Sequence, residues 1–291
     1  MTRYWIDTDI ALGTSSGDVD DGFALAAVLA AGVEVVGVSA VAGNTTADRA
    51  ADAARALLRN FGREETPVVP SEAAAAALAA LPEGTRVLAL GPLTHLVAAA
   101  ELDPDFSRRV SVWAVGSVLD RRRHPLLPWF CLNFRHDPKA GRRFMELPWR
   151  RRRICPLDVV SRLRLGKKDL DRLAAAGGPA GYLAAGSRRW LRQAPWRHFR
   201  RSFPVWDLVA ALDALGQLPG ARCESTSRPT PGDRLVAFDV AAAKAAVLGL
   251  LERYAWGIRR GLPNLSPGGF PRPAAGAGRG AVECGTGHQE A

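Results

Sequence analysis

The chain has 291 residues, of which 47% are hydrophobic, 23% charged and 7% aromatic, with a formal net charge of +10. Those fractions exclude an intrinsically disordered chain and a polytopic membrane protein, and the length allows one large or two smaller domains whose core needs no disulfide staples. Cys131, Cys155, Cys223 and Cys284 lack Cys-x-x-Cys spacing, which argues against a zinc ribbon or disulfide framework.

The predicted elements alternate in a βαβ rhythm. Strand-like runs lie at Tyr4–Asp7, Val33–Val41, Pro67–Val69, Arg86–Leu90 and Val110–Val115, and Ala/Leu-rich helical stretches fall at 20–31, 46–61, 72–80 and 93–101. Apolar strands without clean alternation are buried on both faces, so a parallel sheet covered by helices is expected. A sixth strand is placed at Arg152–Cys155, ahead of Pro156-Leu157-Asp158. Helices follow at 167–176, 179–193 and 207–215, and a last strand–helix pair spans Leu235–Val240 and Ala241–Tyr254. The fold class is therefore α/β, a single domain over 1–260 with a mostly parallel, Rossmann-like central sheet and extra helices in its C-terminal half. Residues 266–291, rich in Gly, Pro and Ala, read as a disordered tail. No apolar run approaches the roughly 18 residues of a membrane span, and Met1-Thr2-Arg3 leads straight into a strand, so a soluble cytoplasmic protein is expected.

Charge is unevenly spread. Residues 1–65 carry ten acids against five arginines, whereas residues 121–201 carry 22 of the 39 basic residues, with runs at Arg121–Arg123 and Arg150–Arg153. A basic patch can bind nucleic acid, but no aromatic–basic module accompanies it, and the runs read as a solvated arginine-rich surface.

The acidic opening is more informative. Asp7-Thr8-Asp9 ends the first strand, and Asp18-Val19-Asp20-Asp21-Gly22 opens the first helix. Residues i and i+2 of a strand point to one side, so Asp7 and Asp9 share a face at the carboxyl end, where open α/β sheets bind ligands. Helix capping accounts for one or two of these acids, not five within fifteen residues. Crowded carboxylates repel one another unless a cation joins them, and an oxygen-only donor set suits a hard ion such as Ca²⁺ or Mg²⁺. An aspartyl phosphatase also opens with Asp-x-Asp, but it carries Thr or Val where this chain has Ala11. No phosphate-binding glycine loop is present either.

Other strand ends supply further candidates. Val41-Ala42-Gly43-Asn44-Thr45-Thr46 offers the Asn44 amide to a ligand, or Thr45 as a cap with Asp48 completing a box. Leu90-Gly91-Pro92-Leu93-Thr94 leaves the Leu90 carbonyl free to coordinate. Asn133-Phe134-Arg135-His136-Asp137-Pro138 contains a helix cap in Asp137, and Trp206-Asp207 opens a late helix.

Taken together, these segments resemble the inosine–uridine-preferring nucleoside hydrolase family over roughly residues 3–255. That family opens with Asp-x-Asp-Pro-Gly-x-Asp-Asp, matched here by Asp7-Thr8-Asp9, a longer loop and Asp20-Asp21. The resemblance implies hydrolysis of the N-glycosidic bond of ribonucleosides, or of related ribosides or nucleotides, giving ribose and free base. It implies Ca²⁺ held by Asp9, Asp21, the Leu90 carbonyl and Asp207, with Asp9 also the catalytic base. It further implies Asp20, Asn44, Asn133 and Asp207 on the substrate ribose, Trp206 against the base or in the core, Asp7 supporting the loop, and a homodimer or homotetramer. The family's Glu-Phe-Asn is Cys131-Leu132-Asn133 here, and the His that often precedes the late Asp is Trp206. These departures leave a riboside-binding, catalytically weak relative as the alternative, and a nucleic-acid-binding protein as a weaker one.

Overall fold

The computed structural model describes residues 2–14, 17–127, 131–227 and 230–259. The expected 266–291 tail lies outside them. In chain order the elements are β1 Arg3–Thr8, α1 Asp20–Ala30, β2 Glu34–Ala40, α2 Ala47–Asn60, β3 Val68–Val69, α3 Ser71–Ala79, β4 Arg86–Ala89, α4 Thr94–Leu102 and α5 Phe106–Arg109. There follow β5 Ser111–Val115, α6 Leu132–Arg135, α7 Pro138–Glu146, β6 Arg151–Cys155, α8 Leu157–Val160, β7 Arg164–Gly166, α9 Lys167–Ala176 and α10 Gly178–His198. Then come β8 Ser202–Pro204, α11 Trp206–Ala214, β9 Arg222–Thr226, β10 Gly232–Ala237 and α12 Val240–Arg259.

The main sheet has the order β3-β2-β1-β4-β5-β6-β10-β9, parallel throughout except for β9, and β7 and β8 form a separate antiparallel pair. The first six strands thus follow the doubly wound order, in which the chain steps outward from β1 and then crosses back to β4. The Rossmann-like α/β expectation holds. Two apolar layers cover the sheet. On one face Phe23, Leu25, Leu57, Leu208 and Leu212 bring α1, α2 and α11 together, and on the other Leu78, Leu96, Phe106 and Phe144 seat α3, α4, α5 and α7. Buried from Asp20 to Leu29, α1 packs most extensively on α11. No helix among the described residues is long and apolar enough to cross a membrane.

Three local readings change. The short α5, α6, α8, β7 and β8, of three or four residues each, are absent from the sequence-based expectation because each is too brief to show a period; of α7 only the Asp137 cap was read, and β9 was not placed. The last strand starts at Gly232 and stops at Ala237, which frees Asp239 to cap α12 by accepting from Ala242 N at 2.9 Å. At α2 the cap is Thr46, accepting from Arg49 N, while the Thr45 carbonyl instead takes the Gly43 N–H.

Only part of the Arg150–Arg153 run is solvated surface, Arg150 being exposed. Arg152 and Arg153 lie within β6 and are each 1% exposed. Arg152 donates to the Thr230 carbonyl at 2.6 Å. Arg153 pairs with Asp213 at 3.5 Å and Asp233 at 3.3 Å, and Asp213 also accepts from Trp113 Nε1 at 2.8 Å. Removing one partner of such a buried pair strands the other. Arg153→Ala is expected to lower stability by about 3–5 kcal/mol, read as a shift in the urea midpoint; a loss below 1 kcal/mol would show that the Asp213 charge finds compensation elsewhere.

Candidate active site

The crossover between β1 and β4 opens a crevice at the carboxyl edge of the sheet. Asp9 lies just past β1, Asn44 past β2, Leu90 past β4, and Asn133 reaches in from α6. The pocket there is lined by Asp18, Asp20, Asn44, Leu90, Val115, Cys131, Leu132, Asn133, Leu157, Trp206 and Asp207.

Asp9 is fully buried and tightly seated. Its Oδ2 accepts the Asn44 N–H at 2.6 Å, while Oδ1 has no hydrogen-bond partner among the described residues. Two glycines make room for it. A Cβ on Gly43 would overlap Asp9 Oδ2, and one on Gly91 would overlap Val41 and approach Asp9 N to 3.0 Å. Gly43→Ala is therefore expected to displace the Asp9 carboxylate and to cut turnover at least tenfold. If the variant folds and its turnover is unchanged, Asp9 does not act where the crevice holds it.

The other acids arrive on two helix N-termini. Asp20 and Asp21 occupy the first turn of α1, and Asp207 the first turn of α11. Asp207 is not the α11 cap. Its own N–H donates to Asp20 Oδ2 at 3.1 Å, so α1 supplies an acceptor to the start of α11 across 187 positions. Both helix dipoles direct their positive ends at these carboxylates, which offsets part of their repulsion. Oxygens of Asp20, Asp21 and Asp207 lie within 4.8 Å of one another. Asp21 Oδ1 accepts from Thr8 Oγ1, whereas Asp21 Oδ2 and Asp207 Oδ1 have no partner among the described residues.

Burial dominates the electrostatics. It pushes the Asp9 carboxyl up to about 7, with the charges of Asp20 and Asp7 adding to the rise. It also holds Asp18, Asp21 and Asp207 well above the usual carboxylate range, with the neighbouring acids acting in the same direction. Buried carboxyls that resist ionisation, as Asp21 and Asp207 do, are poised to exchange protons for a divalent cation.

The Leu90 carbonyl is not free, because Asn133 Nδ2 donates to it at 2.8 Å; an acceptor with two lone pairs keeps one for another partner. Trp206 is half-buried on the pocket wall, its indole N–H fixed to Ser161 Oγ at 2.7 Å. Asp137 caps α7, accepting from Lys139 N and Ala140 N, and stands outside the pocket lining. Cys131 takes the Ser117 N–H at 3.3 Å, and burial raises its thiol above the ordinary cysteine range.

Two features were not foreseen. Asp18 lines the pocket rather than capping α1. It accepts from Val19 N at 2.6 Å and Asp20 N at 3.3 Å, a local turn that its position two residues before the helix already hinted at. Behind Asp9, Asp7 Oδ1 is joined to Ser39 Oγ at 2.6 Å and His95 Nδ1 at 2.9 Å, and His95 Nε2 to Ser71 Oγ at 2.8 Å. Burial pulls His95 down, but its hydrogen bond and attraction to Asp7 outweigh this and leave it raised. Nothing in the sequence pairs residue 95 with residue 7.

Known proteins share this fold. The sequence profile described as inosine-uridine preferring nucleoside hydrolase matches residues 4–86 and 70–247. No curated protein sequence matches significantly. Among solved structures, a plant nucleoside hydrolase superposes with a TM-score of 0.70 at 17% identity, covering 86% of this chain and 99% of that one. The inosine-uridine preferring nucleoside hydrolase of Bacillus anthracis gives 0.65 at 16% identity, covering 87% and 100%. The purine-preferring ribonucleoside hydrolase of Gardnerella vaginalis gives 0.71 at 13% identity, covering 87% and 99%. With its sequence matched across nearly all of the described fold, the chain belongs to the inosine–uridine-preferring nucleoside hydrolase family and is an N-ribosyl hydrolase.

Proposed function

We propose that the enzyme hydrolyses the N-glycosidic bond of ribonucleosides to ribose and free base, with a Ca²⁺ ion held by Asp9, Asp21, the Leu90 carbonyl and Asp207. The observation that carries this reading is the set of buried oxygens without hydrogen-bond partners, Asp9 Oδ1, Asp21 Oδ2 and Asp207 Oδ1. Such oxygens are costly unless something binds them, and their chemistry, without His or Cys, fits a hard cation. Asp20 stands close enough to Asp21 and Asp207 to share the ion or to take a ribose hydroxyl beside it.

When bound, the ion neutralises the carboxylates and makes a water more acidic. Asp9, seated at the end of β1, would take the proton of the attacking water. The water oxygen bonds to the anomeric carbon as the carbon–nitrogen bond breaks, and the electron pair leaves with the base. Carboxylates around the ring stabilise its developing positive charge. Asp20, Asn44 and Asn133 hold the ribose hydroxyls, and Trp206 offers a fixed aromatic wall to the base. Water attacks directly, so no Ser or Cys nucleophile is required, and the buried Cys131 thiol stays protonated.

The test is reducing-sugar release from a panel of ribonucleosides and their 2′-deoxy counterparts, with and without a chelator. Ribonucleosides are expected to be cleaved at least about 100-fold faster than deoxynucleosides, since hydroxyl binding energy is what orients the ring. Chelation is expected to stop the reaction and Ca²⁺ to restore it. Equal cleavage of the deoxy compounds, or activity indifferent to chelation, would overturn the reading.

A further inference from the structure

The pocket is electrically lopsided along the sheet edge. Its acids stand over β1 and between α1 and α11. Moving across β4 to β5 and β6, at about 5 Å per strand, the wall becomes Val115, Cys131 and Leu157, with no carboxylate lining it. Two arginines border that end. Arg135 closes the short α6 that carries Asn133 into the pocket. Arg121 sits on a turn clamped beside Leu157, because Leu119 N and Asp120 N both donate to the Asp158 carboxylate at 2.8 Å. Asp120 in turn accepts from Arg122 N and Arg123 N at 3.1 Å, which fixes the turn. The fields of both guanidiniums reach the Cys131 sulfur, and Arg121 is exposed and makes no ion pair among the described residues.

A neutral 5′-hydroxyl at this end would look for an acceptor. Cys131 offers a protonated thiol whose sulfur already takes the Ser117 N–H. Neither arginine lines the pocket, but both act on the Cys131 sulfur that does, and a guanidinium matches the oxygens of a phosphate in shape as well as sign.

Resting on the assignment of riboside hydrolysis to this pocket, we propose that the preferred substrate is a ribonucleoside 5′-monophosphate, its phosphate bound by Arg121 and Arg135. Its sugar diol lies over the β1 acids and its phosphate over β5 and β6. Water adds to the anomeric carbon, the base departs with the bonding pair and gains a proton, and ribose 5-phosphate is released.

The experiment compares kcat/KM for matched pairs, inosine with IMP, adenosine with AMP, uridine with UMP and cytidine with CMP, in wild type, Arg121→Ala, Arg135→Ala and Arg121→Lys. At least one monophosphate is expected to exceed its nucleoside tenfold or more. Each alanine variant is expected to lower that ratio at least fivefold, mainly through KM, with Arg121→Lys retaining part of it. A ratio at or below one for every pair, or alanine variants that leave it unmoved, would overturn the proposal. If wild type cleaves neither member of any pair, the riboside-hydrolase reading of the pocket fails, and calorimetry then decides the phosphate site separately. Tighter binding of IMP than inosine, lost in Arg121→Ala, supports it, and equal or weaker binding of IMP overturns it.

Discussion

Asp21→Asn is expected to lower ribose release by about 1,000-fold or more. The amide preserves side-chain shape and can still accept the Thr8 hydroxyl through its oxygen, so the fold is retained. What it removes is one negative charge and the unpartnered Oδ2 that faces Asp20 and Asp207. The charge matters because a divalent cation is drawn from water only by concentrated negative potential. Calorimetric titration with Ca²⁺ should show the affinity falling in parallel. The metal-free variant should unfold no earlier than metal-free wild type at pH 7, because the amide, like a protonated carboxyl, brings no charge into the buried cluster. An Asp21→Asn enzyme that keeps more than a tenth of wild-type turnover would remove Asp21 from the catalytic apparatus.

Stripping the metal is expected to leave a protein that loses stability as pH rises from about 4 to about 7. The carboxyls of Asp9, Asp18, Asp21 and Asp207 are all raised in the folded chain. Between the ordinary carboxylate range and their folded values the native state therefore holds more protons than the unfolded state. Their contribution is fully present below the unfolded value near 3.8 and is lost as pH rises through the folded one. For Asp9 alone, moved from 3.8 to about 7, the swing is about 4 kcal/mol at 1.36 kcal/mol per pH unit. Saturating Ca²⁺ should flatten the slope, since the ion replaces the protons and adds about 2.7 kcal/mol at a hundred times its dissociation constant. Thermal unfolding at pH 5, 6 and 7.5, with chelator and with Ca²⁺, provides the measurement. A metal-free protein equally stable at all three values would mean that the acids are not held protonated by burial.

The sequence carried the architecture because its signals are local. Apolar strands such as Val33–Val41 and the helix that starts at Asp20 announce themselves by composition and period, and their order yields the parallel sheet. The acidic opening was legible for the same reason, with five carboxylates too dense for capping alone. What escaped was whatever depends on the third dimension. The arginines of β6 look like surface until Asp213, Asp233 and Thr230 are seen folded around them. Asp7 gains its partners from β2 and α4, far along the chain. The Leu90 carbonyl, open by local reasoning, meets Asn133 only after α6 has turned back over the sheet.

The hydrogen bond from Asp207 to Asp20 has a kinetic side. Contacts between residues so distant in the chain form late, since a long loop must close before they return any energy. On the ribosome the first five acids emerge early and wait, without their counterpart, until α11 has followed some 190 residues afterwards. The proposed centre is consequently incomplete during most of the chain's synthesis, and it closes only when α11 meets α1.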